Sequence, residues 1–188
     1  MYKQCQTKPS ASRQREMEQG LLRIMLRKQY EEISVSDLCE ELGIPRKSFY
    51  RYFDGKDGAL YALIDHALMD YDAYTVFPEL ERTNSPLEYV QRIFSYWYQK
   101  RELLDALEKS GLSGVLIQRA LEFSKDMDTM PRFMQITDNR LRGYGTLFTV
   151  CGVMAMITQW HHDGFSSSTE EMAQLALQLF ANPLFSEA

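Results

Sequence analysis

Apolar residues recur every three or four positions along almost the whole chain, and no stretch alternates with period two for long. Spacing near 3.6 residues places such positions on one face of a helix, so the pattern predicts an all-α protein of about nine helices. The first spans about residues 11–28, with Met17, Leu21, Ile24 and Met25 on one face. Short helices follow at about 35–42 and 45–52, and a fourth starts near Lys56 and carries Leu60, Leu63, Ile64, Ala67 and Leu68. Further helices are expected over about 86–109, 113–126, 131–137, 140–163 and 169–181. Local signals agree with these bounds. Ser85-Pro86-Leu87-Glu88 offers a capping serine, a proline suited to the first turn and a glutamate three residues after the cap, and Ser168-Thr169-Glu170-Glu171 repeats the box. Gly111 and Gly164 stand where helices would stop.

One segment is more specific. In residues 34–53, Val35, Leu38, Leu42, Ile44, Phe49 and Phe53 are spaced so that two short helices bury a shared seam, and Gly43 marks the tight turn between them. Ser34 is placed to cap the first helix, with Asp37 as its box partner. The second helix keeps Arg46, Lys47, Tyr50 and Arg51 for its outer face, with Ser48 beside them and Lys56 just beyond. Arginine reads guanine edges bidentately, lysine and tyrosine hold phosphates, and a helix fits the major groove, so this composition points to a recognition helix. A basic helix alone would more often be a solvated face. The seam, the glycine turn and the cap are what change the odds.

Charge at first argues against a nucleic-acid partner, because the chain of 188 residues carries a net −5. The average hides an asymmetry. Residues 1–58 hold 11 Lys/Arg against 9 Asp/Glu, a net of +2, whereas residues 59–188 hold 10 against 17, a net of −7. An acidic C-terminal body does not exclude phosphate binding by a locally basic N-terminal part. Cys5, Cys39 and Cys151 are far apart, with no ligand or redox spacing, and read as reduced thiols of a cytoplasmic protein. The uncharged run from Tyr144 to Trp160 falls short of the roughly 20 apolar residues a bilayer needs, so no membrane partner is expected. In His161-His162-Asp163, adjacent helical positions point about 100° apart, which does not suit chelation of one ion. No nucleophile elbow, glycine-rich phosphate loop or acid pair is present, so neither an enzyme nor a metal or cofactor is expected.

Residues 33–60, ISVSDLCEELGIPRKSFYRYFDGKDGAL, resemble the N-terminal signature of the TetR/AcrR family of transcription regulators. Tyr50, Phe53 and Lys56 match its Tyr-x-x-Phe and following lysine directly, and the resemblance covers about residues 11–70. It implies that Tyr50 and Lys56 clamp phosphates, that Pro45, Arg46, Lys47, Ser48, Arg51 and Tyr52 face the groove, and that Ser34 or Ser36 touches the backbone. Pro45 departs from the family's usual serine or threonine and so removes the side-chain cap of the reading helix. Cys39 replaces an alanine, and Gln29 stands where a glycine is common.

The resemblance also implies two domains. A three-helix helix-turn-helix domain is expected over residues 1–56, and a helical domain for dimerisation and effector binding over 57–188. Two half-sites one DNA turn apart need a two-fold partner, so the expected DNA is a palindromic double-stranded operator and the expected assembly a homodimer. Thr149, Gly152, Val153 and Met156, with Met172, Leu175 and Leu179 of the last helix, form a stripe suited to that interface, although an intramolecular core explains the same stripe. Phe94, Trp97, Phe123, Met127 and Met134 could line an adaptable apolar site for a small-molecule effector, with Arg101 near the same stripe and set either to meet an anion or to reach solvent. Control of the C-terminal domain by a protein partner is the alternative. An open cavity would favour the small ligand and a filled interior the protein.

Overall fold

The computed structural model describes residues 1–76, 85–125 and 138–181, and the described residues contain nine α-helices and no strand. The helix expected over 131–137, and with it Met127, Met130, Phe133 and Met134, lies outside the described residues. In order, α1 is Lys8–Met25, α2 Val35–Glu41, α3 Arg46–Phe49, α4 Lys56–Val76, α5 Pro86–Gln99, α6 Arg101–Lys109, α7 Ser113–Ser124, α8 Asn139–His162 and α9 Thr169–Ala181. A 3-10 turn at Tyr30–Glu32 precedes α2. α1 starts a turn earlier than its apolar spacing suggests, because Thr7 caps it by accepting the Ser10 N–H at 3.4 Å.

The helix expected over 86–109 is two helices. Lys100 leaves the helical conformation (φ −95°, ψ 19°), and its N–H bonds back to the last carbonyls of α5. Apolar spacing over 86–109 reads as one helix because it runs on through Lys100. The positions form two separate stripes: Val90, Ile93, Phe94 and Trp97 on α5, then Leu103, Leu104, Ala106 and Leu107 on α6. The two stripes belong to different compact units. The first unit comprises Met1–Ala67 and Glu102–Arg119, and the second Leu68–Arg101 and Ala120–Ala188.

In the first unit, Met17, Leu21, Met25, Leu38, Phe49, Phe53, Ile64, Leu107 and Leu116 are almost fully buried. Three expected capping features are present. Ser34 and Asp37 form a capping box at α2, Ser85 accepts the Glu88 N–H at α5, and Ser168 with Glu171 does the same at α9. In the second unit α9 packs along α5 and touches α8, around Phe94, Trp97, Ile157, Trp160 and Ala176.

Gly43 adopts φ +60° between α2 and α3, the left-handed region that L side chains resist by about 1–2 kcal/mol. Nothing stands within 4 Å of a Cβ added there, so the constraint is conformational and not steric. Gly43→Ala should therefore lower unfolding free energy by about 1 kcal/mol in urea titration, with the helical content unchanged.

Candidate nucleic-acid interface and interior cavity

α2 and α3 meet through Leu38, Ile44 and Phe49, all buried, and Phe49 packs on Phe53 with ring centroids 5.1 Å apart. This seam turns the remaining faces of both helices outward. Pro45, Arg46, Lys47, Tyr50 and Arg51 are exposed, Ser48 and Tyr52 half-buried, and Ser34 and Ser36 exposed at the start of α2. Regular helix ends at Phe49, so Tyr50, Arg51 and Tyr52 follow in turns where the sequence suggests helix as far as residue 52. Pro45 has no side-chain bond to the helix it precedes, as its chemistry requires. Asp37, by contrast, receives bonds from the Ser34 hydroxyl and backbone N–H, which hold its carboxyl down to about 2.

The basic side chains of this unit divide into two groups. Arg23 and Arg27 bond to Glu41, Lys28 lies 3.5 Å from Asp37, Arg13 pairs with Glu16, and Arg119 pairs with Asp65. Around α3 the pattern changes. Arg46 meets only the Tyr50 hydroxyl, at 3.4 Å, and neither Lys47 nor Arg51 has a hydrogen bond or ion pair among the described residues. The uncompensated positive charge is therefore concentrated on the outward face of the second short helix, where an array of phosphates would be neutralised.

Lys56 is placed differently from its neighbours. Its Nζ donates to the carbonyls of Tyr30 (2.8 Å) and Glu31 (3.2 Å) and sits 4.5 Å from the centre of the Tyr30 ring. Tyr30 is itself buried, its hydroxyl donates to Asp57, and its backbone N–H donates to Ser110 Oγ at 3.2 Å. Burial and the Asp57 carboxylate push the Tyr30 phenol upward, so it stays a donor. At most one of the three ammonium protons of Lys56 remains for a phosphate.

Within the second unit, a cavity of about 90 Å³ is lined by Leu68 and Tyr71 of α4, Tyr89, Ile93 and Trp97 of α5, Ala120, Phe123 and Ser124 of α7, and Thr146, Thr149, Val150, Val153 and Met154 of α8. Trp97 and Phe123 are the sequence-nominated ligand residues that line it. Phe94 is fully buried with its ring against Trp160 (5.6 Å), and Arg101 is exposed 5.8 Å from the Tyr98 ring, the solvent-reaching arrangement. Met127 and Met134 lie outside the described residues. The α8 contribution escaped the sequence reading, although 146, 149, 150 and 153 recur at helical spacing and could have indicated one inward face.

The residues nominated for subunit contact are split by the same geometry. Val153 and Met172 are buried inside the unit, Thr149 lines the cavity, Met156 is half-buried, and a Cβ on Gly152 would meet the Phe180 ring at 3.6 Å. Leu175 and Leu179 are exposed. On α8 the outward row is Tyr144, Leu147 and Phe148, continued by Ala155, with Tyr144 71 % and Phe148 64 % exposed.

Residues 21–63 match the family model described as bacterial regulatory proteins, tetR family, a match that contains the seam, the turn and the basic helix. That segment is of the TetR type. No curated protein matches it by sequence. Among solved structures, the fatty acid degradation regulator FadR from Bacillus halodurans shares 13 % identity and a TM-score of 0.60, over 96 % of this chain and 98 % of that one. The dihydroxyacetone kinase operon activator DhaS shares 15 % identity and a TM-score of 0.54, over 89 % and 93 %. At such identities the likeness concerns the fold. The described residues thus share the all-α fold of these two structures, and no helix among them is long and apolar enough to cross a membrane.

Loss of the Lys56 ammonium tests its internal role. Lys56→Met should lower unfolding free energy by about 1–2 kcal/mol, the value of a partly exposed charged hydrogen-bond set, as read by thermal and urea midpoints. A lysine serving phosphates alone would leave both midpoints unchanged.

Proposed function

We propose that this chain is a homodimeric repressor of the TetR family that holds a palindromic operator through α2 and α3 and is released by a small, uncharged, apolar effector bound in the second unit. The observation that carries the DNA part is the contrast among cations. Arg13, Arg23, Arg27, Lys28 and Arg119 of the first unit have acidic partners, whereas Arg46, Lys47 and Arg51 stand outward without one among the described residues. In this reading Arg46 and Arg51 reach base edges, Lys47 and Tyr50 hold phosphates, Ser48, Pro45 and Tyr52 border the groove, and of Ser34 and Ser36 it is Ser36 that presents its hydroxyl to the backbone, since the Ser34 hydroxyl is given to Asp37. Lys56 contributes chiefly by fixing the 3-10 turn, with its remaining proton turned to a phosphate.

The exposed row on α8 and α9 supports the dimer. Tyr144, Leu147, Phe148, Leu175 and Leu179 form an apolar surface of the kind that marks subunit contact. This revises the nominated stripe toward the outward residues, with Leu175 and Leu179 retained. The effector reading rests on the cavity. Its described lining contains no Lys, Arg, Asp, Glu or His, and its polar side-chain groups are the hydroxyls of Tyr71, Tyr89, Ser124, Thr146 and Thr149 and the indole N–H of Trp97. An open cavity favours a small molecule over a protein partner as the controlling ligand.

Gel-shift and fluorescence anisotropy on a duplex carrying the region upstream of the protein's own gene test the DNA contacts. Arg46→Ala or Arg51→Ala should relax preference at individual bases, each by about 1–3 kcal/mol of discrimination, while Lys47→Ala should weaken all duplexes alike. Salt-insensitive binding, or equal affinity of all three variants and the parent, contradicts the assignment. For the assembly, the parent should sediment at twice the chain mass. Phe148→Glu combined with Leu175→Glu should sediment as a folded monomer with weakened operator binding, and an unaltered dimer would move the interface elsewhere.

A further inference from the structure

The first seven residues are not part of any helix, yet they are firmly placed. Tyr2 forms an isolated antiparallel bridge with Phe53, Lys3 N–H donates to the Tyr52 carbonyl at 2.9 Å, and the Asp54 N–H donates to the Met1 carbonyl at 3.1 Å. The segment is thus paired with the chain immediately after the recognition helix. Two side-chain features hold it there. Tyr2 donates its hydroxyl to the buried Asp65 carboxylate at 2.7 Å, and its ring meets His66 edge-on at 5.9 Å. Gly58 supplies the room, since a Cβ at that position would stand 2.3 Å from the Met1 carbonyl oxygen.

Pairing fixes which way the third residue points. Successive side chains of extended backbone alternate in direction, and directly paired residues share a face. Tyr2 and Phe53 point into the protein, Lys3 is exposed, and Tyr52, whose carbonyl receives the Lys3 N–H, is half-buried. Lys3 is exposed, and no ion pair or side-chain hydrogen bond engages its ammonium among the described residues. It joins Arg46, Lys47 and Arg51 as an uncompensated cation beside Tyr52, at the end of the recognition helix. The nearest acid along this pairing, Asp54, lies opposite Met1 with its carboxylate 3.8 Å from the Met1 ammonium.

We propose that residues 1–3 are an added part of the DNA interface, in which Lys3 contacts a phosphate and Tyr2 and Gly58 seat the segment against the end of the recognition helix. The inference rests on the DNA-binding reading of α2 and α3 but concerns residues outside the helix-turn-helix. Lys3 neutralises a phosphate and carries no base preference, so its loss affects all sequences alike.

The test is a salt series of duplex binding with full-length parent, Lys3→Ala, Gly58→Ala, the double variant and Arg51→Ala, on the upstream duplex and on a random duplex. Lys3→Ala should lower the slope of log K against log salt by about 0.9 per bound protomer, weaken both duplexes about eightfold per bound protomer (about sixtyfold for a dimer) at 0.1 M salt, and approach the parent near 1 M. Its thermal midpoint should match the parent. Gly58→Ala should give the same slope change, and adding Lys3→Ala to it should change little more, because the lysine has already left its seat. An unchanged slope for Lys3→Ala, with Arg51→Ala still impaired, overturns this inference alone. Equal effects of Lys3→Ala with and without Gly58→Ala overturn the seating role. A parent without salt-dependent binding overturns the DNA-binding reading and this inference with it.

Discussion

The carboxylate of Asp65 organises the DNA-binding unit. It is buried on α4 and accepts from both sides, from Arg119 of α7 through Nε at 2.7 Å and through Nη2, and from the Tyr2 hydroxyl. The neighbouring His66 Nδ1 lies 2.9 Å from both oxygens of Glu18, a fully buried carboxylate on α1. Two adjacent residues of α4 therefore tie α1, α7 and the N-terminal segment to one helix. Such pairs are poor sources of net stability, since desolvation offsets much of their attraction, but removing one partner strands a buried charge at about 3–5 kcal/mol. Their effect is to make one arrangement of α4 far better than its neighbours. The Tyr2 phenol, pushed up by burial and by Asp65, remains a donor throughout the accessible pH range and keeps its part of that arrangement.

A second fixed point lies at Tyr30, where Lys56 holds two carbonyls, Asp57 takes the hydroxyl and Ser110 takes the N–H. Lys109 adds a bond to the Leu26 carbonyl at 3.0 Å, closing the C-terminal end of α1. These bonds anchor the 3-10 turn that leads into Ser34 and the capping box of α2, so the start of the helix-turn-helix is set from outside it. In this framework Arg119 and Lys109 are turned to protein acceptors, and Lys56 keeps at most one ammonium proton for a phosphate. That division of labour concentrates the uncompensated charge on α3 and its flanks, on a chain that is acidic overall.

Much of this was legible in the sequence because it depends on local rules. Helical spacing, Ser34 with Asp37, the Gly43 turn and the outward Arg46, Lys47 and Arg51 all follow from residues within a few positions of one another. What was not legible depends on distant partners. Whether Lys56 meets a phosphate or a carbonyl is decided by Tyr30, 26 residues earlier. The break at Lys100 reflects two stripes with different cores, which periodicity within one stretch does not separate. α8 has apolar residues on both faces, so sequence could nominate the stripe of Thr149 and Val153 without telling the inward row from the outward row of Tyr144 and Phe148. Tyr2 and Lys3 gave no motif at all, since their significance arises only when the segment meets Phe53 and Gly58.

The size and chemistry of the cavity constrain how the proposed effector could act. Refilling apolar volume recovers about 24 cal/mol per Å³, so occupying 90 Å³ as it stands gains about 2 kcal/mol. Moving a two-state equilibrium from 1:99 to 99:1 needs about 5.5 kcal/mol of differential binding. Simple filling therefore falls well short, and with no charged group on the described lining there is no ion pair to supply the remainder. The difference has to come from apolar surface buried as the walls part.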